Sequence, residues 1–223
     1  MNGMRMLKLV ICAVIVSLIP PAVARADTPE RIAAAAETVK SLSEAPDKGI
    51  PADLLKKAEC IVVVPSLKSG AFVIGADYGR GFASCRTPKG WSAPAAVKVE
   101  GGSVGFQIGG SETEVVMLVM NKKGVDRLLS TQFTLGGEVK VAAGPIGRSG
   151  QAKTDAAMTA EILSYSRARG VFAGAALNGA TLREDDSANK DLYGKEIPNR
   201  TILTGGVEPP VGAQAFLSSI RQF

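Results

Sequence analysis

Histidine is absent from this chain, so the side chains that could do chemistry are its carboxylates, tyrosines, lysines and arginines. That absence removes Ser-His-Asp and Cys-His nucleophilic catalysis and histidine-ligated metals together. The acids are densest at Glu184-Asp185-Asp186, with Asp191 nearby. Paired carboxylates could move protons or hold a cation such as calcium. Their spacing fits no calcium loop, and a charged turn is the simpler reading. An enzyme would have to be assembled from these acids with Tyr165 or Tyr193 beside arginines, and no recognisable metal set accompanies them. The chain is therefore expected not to be an enzyme and to use no cofactor or metal.

The basic residues point to a second chemistry, the binding of anions. Lys56-Lys57 and Lys122-Lys123 are paired on segments that read as short helices. A lysine beside an apolar face suits an anionic membrane surface, where it is worth roughly 1 kcal/mol; plain solubility is the alternative. In TLGGEVKVAAGPIGRSG (Thr134 to Gly150), Gly144-Pro145 and Gly147-Arg148 imply a tight turn that displays Arg148. An arginine beside free backbone N–H groups could hold a phosphate or carboxylate, although an arginine on a turn is more often simply solvated. In Ser164-Tyr165-Ser166-Arg167-Ala168-Arg169, an extended backbone would place Arg167 and Arg169 on one face. Lys56, Lys57, Arg148, Arg167 and Arg169 are thus the candidate anion-binding residues. GGSVGFQIGG (Gly101 to Gly110) lacks the lysine and hydroxyl of a phosphate loop and the spacing of a dinucleotide fingerprint. A curved strand accounts for it better.

The elements that must position these residues follow from periodicity. Thr28 to Glu44 reads as an amphipathic helix, with Thr28 as cap, Pro29 in the first turn and Ile32, Ala35, Val39 and Leu42 near one face. Pro51 to Glu59 reads as a second, short helix. Cys60 to Val64 (CIVVV) is a β-branched apolar run and so a buried strand. Gly70 to Tyr78 and Gly81 to Arg86 read as two further strands, and Trp91 to Ile108 as extended. Glu114 to Met120 (EVVMLVM), the most hydrophobic run after the N-terminal one, reads as a central strand, Lys122 to Ser130 as a helix and Glu138 to Ala143 as a strand. Ala156 to Tyr165 carries mixed signals, Val171 to Leu182 has strand-like spacing, and Asp185 to Tyr193 is helical in part. Thr201 to Pro210 reads as a loop leading to a closing helix, Val211 to Ile220. Helices, then many short strands, then helices predict an α+β single domain: a curved, mainly antiparallel, glycine-rich sheet flanked by helices. Glycines inside strands mark bulges, bends or close backbone approach, which explains much of the excess of 25.

The N-terminus has the form of a secretory signal. Arg5 and Lys8 precede the apolar run Leu9 to Ile19, Pro20-Pro21 end it, and Ala24-Arg25-Ala26 offers a small-x-small cleavage site. The run is shorter than the roughly 20 apolar residues that span a bilayer. Residues 1–26 are expected to be removed, leaving 27–223 as one domain in the periplasm or outside the cell. The net charge of +5 falls to +2 when Arg5, Lys8 and Arg25 leave with the signal. No concentrated basic face marks a nucleic-acid binder, so an anionic partner must be met by a local patch. Cys12 also leaves. Cys60 and Cys85 remain on segments read as nearby strands, and an oxidising compartment favours one disulfide over two buried thiols.

Several stretches in register together resemble the SYLF lipid-binding domain family. They are IPADLLKKAECIVVVPS, GAFVIGADYGRGFASCR, GWSAPAAVKVEGGSVGFQIGG, TLGGEVKVAAGPIGRSG, SYSRARGVFAGAALNGATL and the short DD-x-x-N from Asp185 to Asn189. They cover roughly residues 30–220, nearly all of the expected mature chain. The resemblance implies a binding function: eukaryotic members bind phosphoinositides and other acidic lipids, and some bind actin filaments. Exported bacterial members are similar to this chain, and the Cys60 and Cys85 pair looks typical of them. Implied partners are anionic lipid headgroups or a membrane surface, with an envelope protein or glycan as the alternative. The family's amphipathic helix near the N-terminus corresponds here to Thr28–Glu44, which is alanine-rich and nearly balanced in charge. Strong bilayer insertion is not expected of it, because such binding scales with apolar area and basic charge.

Overall fold

The computed structural model describes residues 27–44, 49–72, 74–103, 109–147, 159–168, 171–174 and 177–223. The expected signal, 1–26, lies outside the described residues. Ten strands are present among them: β1 (Cys60–Phe72), β2 (Ile74–Thr87), β3 (Gly90–Trp91), β4 (Ala95–Ser103), β5 (Gly109–Val119), β6 (Gln132–Thr134), β7 (Val141–Ala143), β8 (Ile162–Ala168), β9 (Val171–Gly174) and β10 (Thr181–Glu184). The helices are α1 (Thr28–Glu44), α2 (Ala52–Lys57), α3 (Lys122–Leu128), α4 (Asp186–Tyr193), α5 (Asn199–Leu203) and α6 (Gln214–Ile220).

The apolar run at the start of β1 is continuous because both faces of that strand are buried. Ile61 and Val63 pack on one side of the sheet; Cys60, Val62 and Val64 pack on the other. The same holds for β5, where Val116 and Leu118 alternate with Val115, Met117 and Val119. These strands are central: the sheet runs β6-β10-β4-β2-β1-β5-β8-β7, with β3 beside β2 and β9 beside β8. Every pair is antiparallel except β7 with β8.

The sheet curls on itself, and chain connectivity requires it. Its two edges, β6 and β7, are joined by residues 135–140 alone. Seven strand spacings laid flat would separate those edges by roughly 34 Å, while the connection reaches at most about 24 Å. The backbone N–H of Leu135 donates to Ala180 O at 2.8 Å beside β10, and that of Ile162 donates to Lys140 O at 3.1 Å beside β8. One buried cluster, including Val62, Val97, Met117, Phe133 and Leu182, fills the inside of the curl. The other, including Ile61, Phe82, Val116 and Leu163, lies outside it beneath α1, α2 and α6.

Two expectations are corrected. Gly70–Tyr78 and Gly81–Arg86 are not separate strands: β1 runs on to Phe72 and β2 is continuous from Ile74 to Thr87. Gly79 and Gly81 serve close packing rather than a break. A Cβ at Gly79 would lie 2.7 Å from Val64 Cγ1, and one at Gly81 2.0 Å from Val63 O, where the β1–β2 register shifts. Within the expected loop Thr201–Pro210, Thr201 to Leu203 belong to α5, because Ile202 and Leu203 reach the interior core.

Candidate anion-binding surface

The sequence PADLLKK builds α2 as a short platform. Asp53 sits in its first turn and Lys56 and Lys57 in its last, each sign complementing the helix dipole. Leu55 is buried, while both lysines are exposed and their ammonium groups make no hydrogen bond or ion pair with any described residue. A single arginine anchors the platform. Arg86 Nε donates to Ala58 O at 2.9 Å, and its Nη2 lies 3.2 Å from Lys56 O, 3.4 Å from Leu55 O and 3.3 Å from Phe223 O. The guanidinium also lies 4.4 Å over the Trp91 ring, a cation–π contact. Arg86 thus satisfies the carbonyls at the end of α2 and fixes where Lys56 and Lys57 project. The sequence reading missed it. The signal was present: Thr87-Pro88-Lys89-Gly90 is a turn, and it places Arg86 directly opposite Trp91.

Arg167 has a different role. It lies directly opposite Glu114 on the neighbouring strand, and both its Nε and its Nη2 donate to that carboxylate. Such a bidentate pair orders the β5–β8 ladder and leaves the charge already matched. Arg148 and Arg169 lie outside the described residues. Lys56 and Lys57 precede Cys60, which is paired with Val119, whereas Arg167 is paired with Glu114. Those positions on β5 differ by about 17 Å along the strand. The structure therefore separates the α2 lysines, at one end of the curled sheet, from Arg167, which lies opposite the midpoint of β5.

The apolar face of α1 is also committed. Ile32, Ala35, Ala36 and Val39 are buried in the outer core with Phe216 and Leu217 of α6. Its outward positions include Ala33, Ala34, Glu37 and Lys40, a face with little apolar area for a bilayer.

The acidic cluster proves to be architecture. Asp185 caps α4, accepting from Ala188 N at 3.3 Å and Ser187 Oγ at 2.8 Å, and it binds Arg80 through both carboxylate oxygens. Burial alone would raise its pKa. The Arg80 and Ser187 hydrogen bonds outweigh burial and hold the carboxyl below its ordinary range. Asn189, fully buried, completes the clamp: its Oδ1 accepts from Ala96 N at 2.8 Å, and its Nδ2 donates to Asn199 Oδ1 at 2.6 Å. Asn199 Nδ2 in turn donates to Ala96 O at 3.0 Å. The DD-x-x-N stretch therefore ties α4 and α5 to β4. Arg80 and Asn199 are its distant partners, and local spacing could not have named them. Burial raises the phenols of both Tyr165 and Tyr193 above their ordinary range, and Tyr193 Oη donates to Pro94 O at 2.7 Å.

Cys60 and Cys85 stand directly opposite one another on β1 and β2 and are joined by a disulfide. The bond lies in the interior core, one residue from Arg86 and close to the end of α2.

Comparison with known proteins adds the last observation. The model of the Ysc84 family, described as "Las17-binding protein actin regulator", matches residues 100–223. SH3 domain-containing YSC84-like protein 1 of Rattus norvegicus is 34% identical over 180 residues, which is 80% of this chain and 53% of that protein. The human protein of the same name is 33% identical over 180 residues, 80% of this chain and 52% of its own length. LAS seventeen-binding protein 3 of Saccharomyces cerevisiae is 34% identical over 168 residues, 74% of this chain and 36% of the yeast protein. The chain thus spans about half the length of these animal relatives and little more than a third of the yeast one.

Proposed function

Because the chain belongs to the Ysc84 (SYLF) family, we propose that it is an exported bacterial binding module that attaches peripherally to anionic lipid headgroups of the cell envelope. The observation that carries this reading is the exposed pair Lys56 and Lys57, whose ammonium groups have no partner among the described residues and which stand on a platform that Arg86 locks. Preorganised cations lose little freedom on meeting an anionic surface, and each contributes roughly 1 kcal/mol there. The attachment is electrostatic rather than inserted, since the apolar face of α1 is spent on the core. It is therefore sensitive to salt, because exposed charges are screened beyond about 10 Å at moderate ionic strength. Co-flotation of the chain with neutral and anionic vesicles across a salt series tests this. Binding to anionic vesicles alone, lost at high salt, is the expected result. No binding to anionic vesicles at low salt would end the lipid reading.

A second reading is favoured by one observation: a relative is itself named as a binding protein for another protein, LAS seventeen. On that reading this chain docks on an envelope protein or glycan without lipid affinity. Recovery of a specific partner from envelope extract by a chain that ignores vesicles would establish it.

A further inference from the structure

The strand ends next to α2 carry more charge than that helix alone. β1 begins there, β2 and β5 end there, and the three are neighbours in the sheet. Glu59 N donates to Val119 O at 2.8 Å and Arg86 N donates to Glu59 O at 2.8 Å, so the exits of β2 and β5 flank the entry of β1. The turn after β2 presents Lys89, and the helix after β5 begins with Lys122. Lys56, Lys57, Lys89 and Lys122 are all exposed, and their ammonium groups make no hydrogen bond or ion pair with a described residue. The neighbouring Lys123, by contrast, is paired with Glu161 at 2.6 Å.

With Arg86, Arg221 and Lys123, seven cations stand at this end against four acids, Asp53, Glu59, Asp126 and Glu161. The excess of three exceeds the +2 of residues 27–223 as a whole, so the remainder of that chain sums to −1. Such an asymmetry orients a protein before it touches a charged surface. Half-buried apolar groups lie in the same place: Leu54, Trp91 and Met120 pack at the margin of the outer core. An indole at the edge of a cationic rim suits the boundary between headgroups and acyl chains. The row from the β2 turn to α3 crosses two strand spacings, about 10 Å, which matches several adjacent headgroups better than one phosphate.

We propose that this end of the curled sheet is the membrane-facing surface: the protein docks end-on against an anionic bilayer through Lys56, Lys57, Lys89 and Lys122, with Trp91 at the contact. The proposal rests on the lipid reading above and adds to it the face and the orientation.

Trp91 is the chain's single tryptophan, so its fluorescence reports on this face alone. The test uses the chain with vesicles of phosphatidylcholine and phosphatidylserine, with and without brominated phosphatidylcholine as a quencher. Three proteins are compared: wild type, the double variant K89E/K122E, and K68E, whose lysine lies on the far part of β1. Circular dichroism confirms that each is folded. Bound wild type should show quenched Trp91 emission, K68E should bind as wild type does, and K89E/K122E should lose at least about tenfold in vesicle affinity. Vesicle binding by K89E/K122E equal to wild type, or unquenched Trp91 in bound wild type, would overturn end-on docking while leaving lipid binding intact. Absence of wild-type binding to these vesicles would overturn both.

Discussion

At the scale of single residues, the side chains most conspicuous in the sequence divide into exposed cations and internal clamps. Asp185 looks like a candidate acid but is a buried cap paired with Arg80. Its lowered pKa fixes the sign of a pH effect. The ionised carboxyl contributes stability that is complete above its ordinary value of 3.8 and is lost as pH falls through the lower value it has in the fold. The melting temperature of D185N should therefore lie well below wild type at neutral pH, with the gap narrowing in acid below 3.8. Glu184 titrates with the opposite sign, because burial raises it, so the comparison with D185N rather than the bare pH curve isolates Asp185. Asn189→Ala should cost about 1–3 kcal/mol in denaturant unfolding, since it leaves Ala96 N buried without its acceptor. A much smaller loss would mean that the clamp adds little to the joint between α4 and β4.

At the scale of elements, much was legible. Helix α1 spans the predicted residues, because apolar spacing is a local signal, but the expected cap Thr28 lies inside the helix and donates to Asp191 Oδ2 at 3.1 Å, while Asp27 O accepts the first helical bond, from Arg31 N at 3.0 Å. The short helices α2 and α3 and the strand character of β1 and β5 were legible for the same reason. Strand limits around the glycines were not. A glycine inside a strand and a glycine at a turn look alike until the opposing strand is known, and Gly81 is needed because Val63 O lies where its Cβ would be. The buried side of α1 makes a prediction of its own. Ala35 is fully buried whereas Ala33 is exposed. Ala35→Leu should destabilise by about 1–3 kcal/mol through overpacking, while Ala33→Leu should change stability by less than about 0.5 kcal/mol. Equal effects on the melting temperature would refute the assignment of the inward face.

At the scale of the whole molecule, one covalent link and one closure hold the barrel-like curl. The Cys60–Cys85 bond closes a loop with a sequence separation of 25, for which chain entropy predicts about 3 kcal/mol of stabilisation. Reduction, or the C60A/C85A double variant, should lower the melting temperature accordingly. No change on full reduction would show that strand pairing alone suffices there. The bond ties β1 to β2 beside Arg86, so it also steadies the end of the sheet that displays the lysines.

The amino-acid sequence by itself determined the α+β class, the principal helices, the apolar central strands and the candidate cations, because propensity, periodicity and charge are written residue by residue. It also carried the family resemblance, through motifs kept in order along most of the chain. Only the tertiary structure decided that Arg167 is matched by Glu114, that Arg86 holds α2, and that Lys89 and Lys122 join Lys56 and Lys57 at one end. Those relations depend on which strands are neighbours and in what register. A sequence states what each residue is able to do, but long-range pairing selects which charges are spent inside the fold and which remain for a partner.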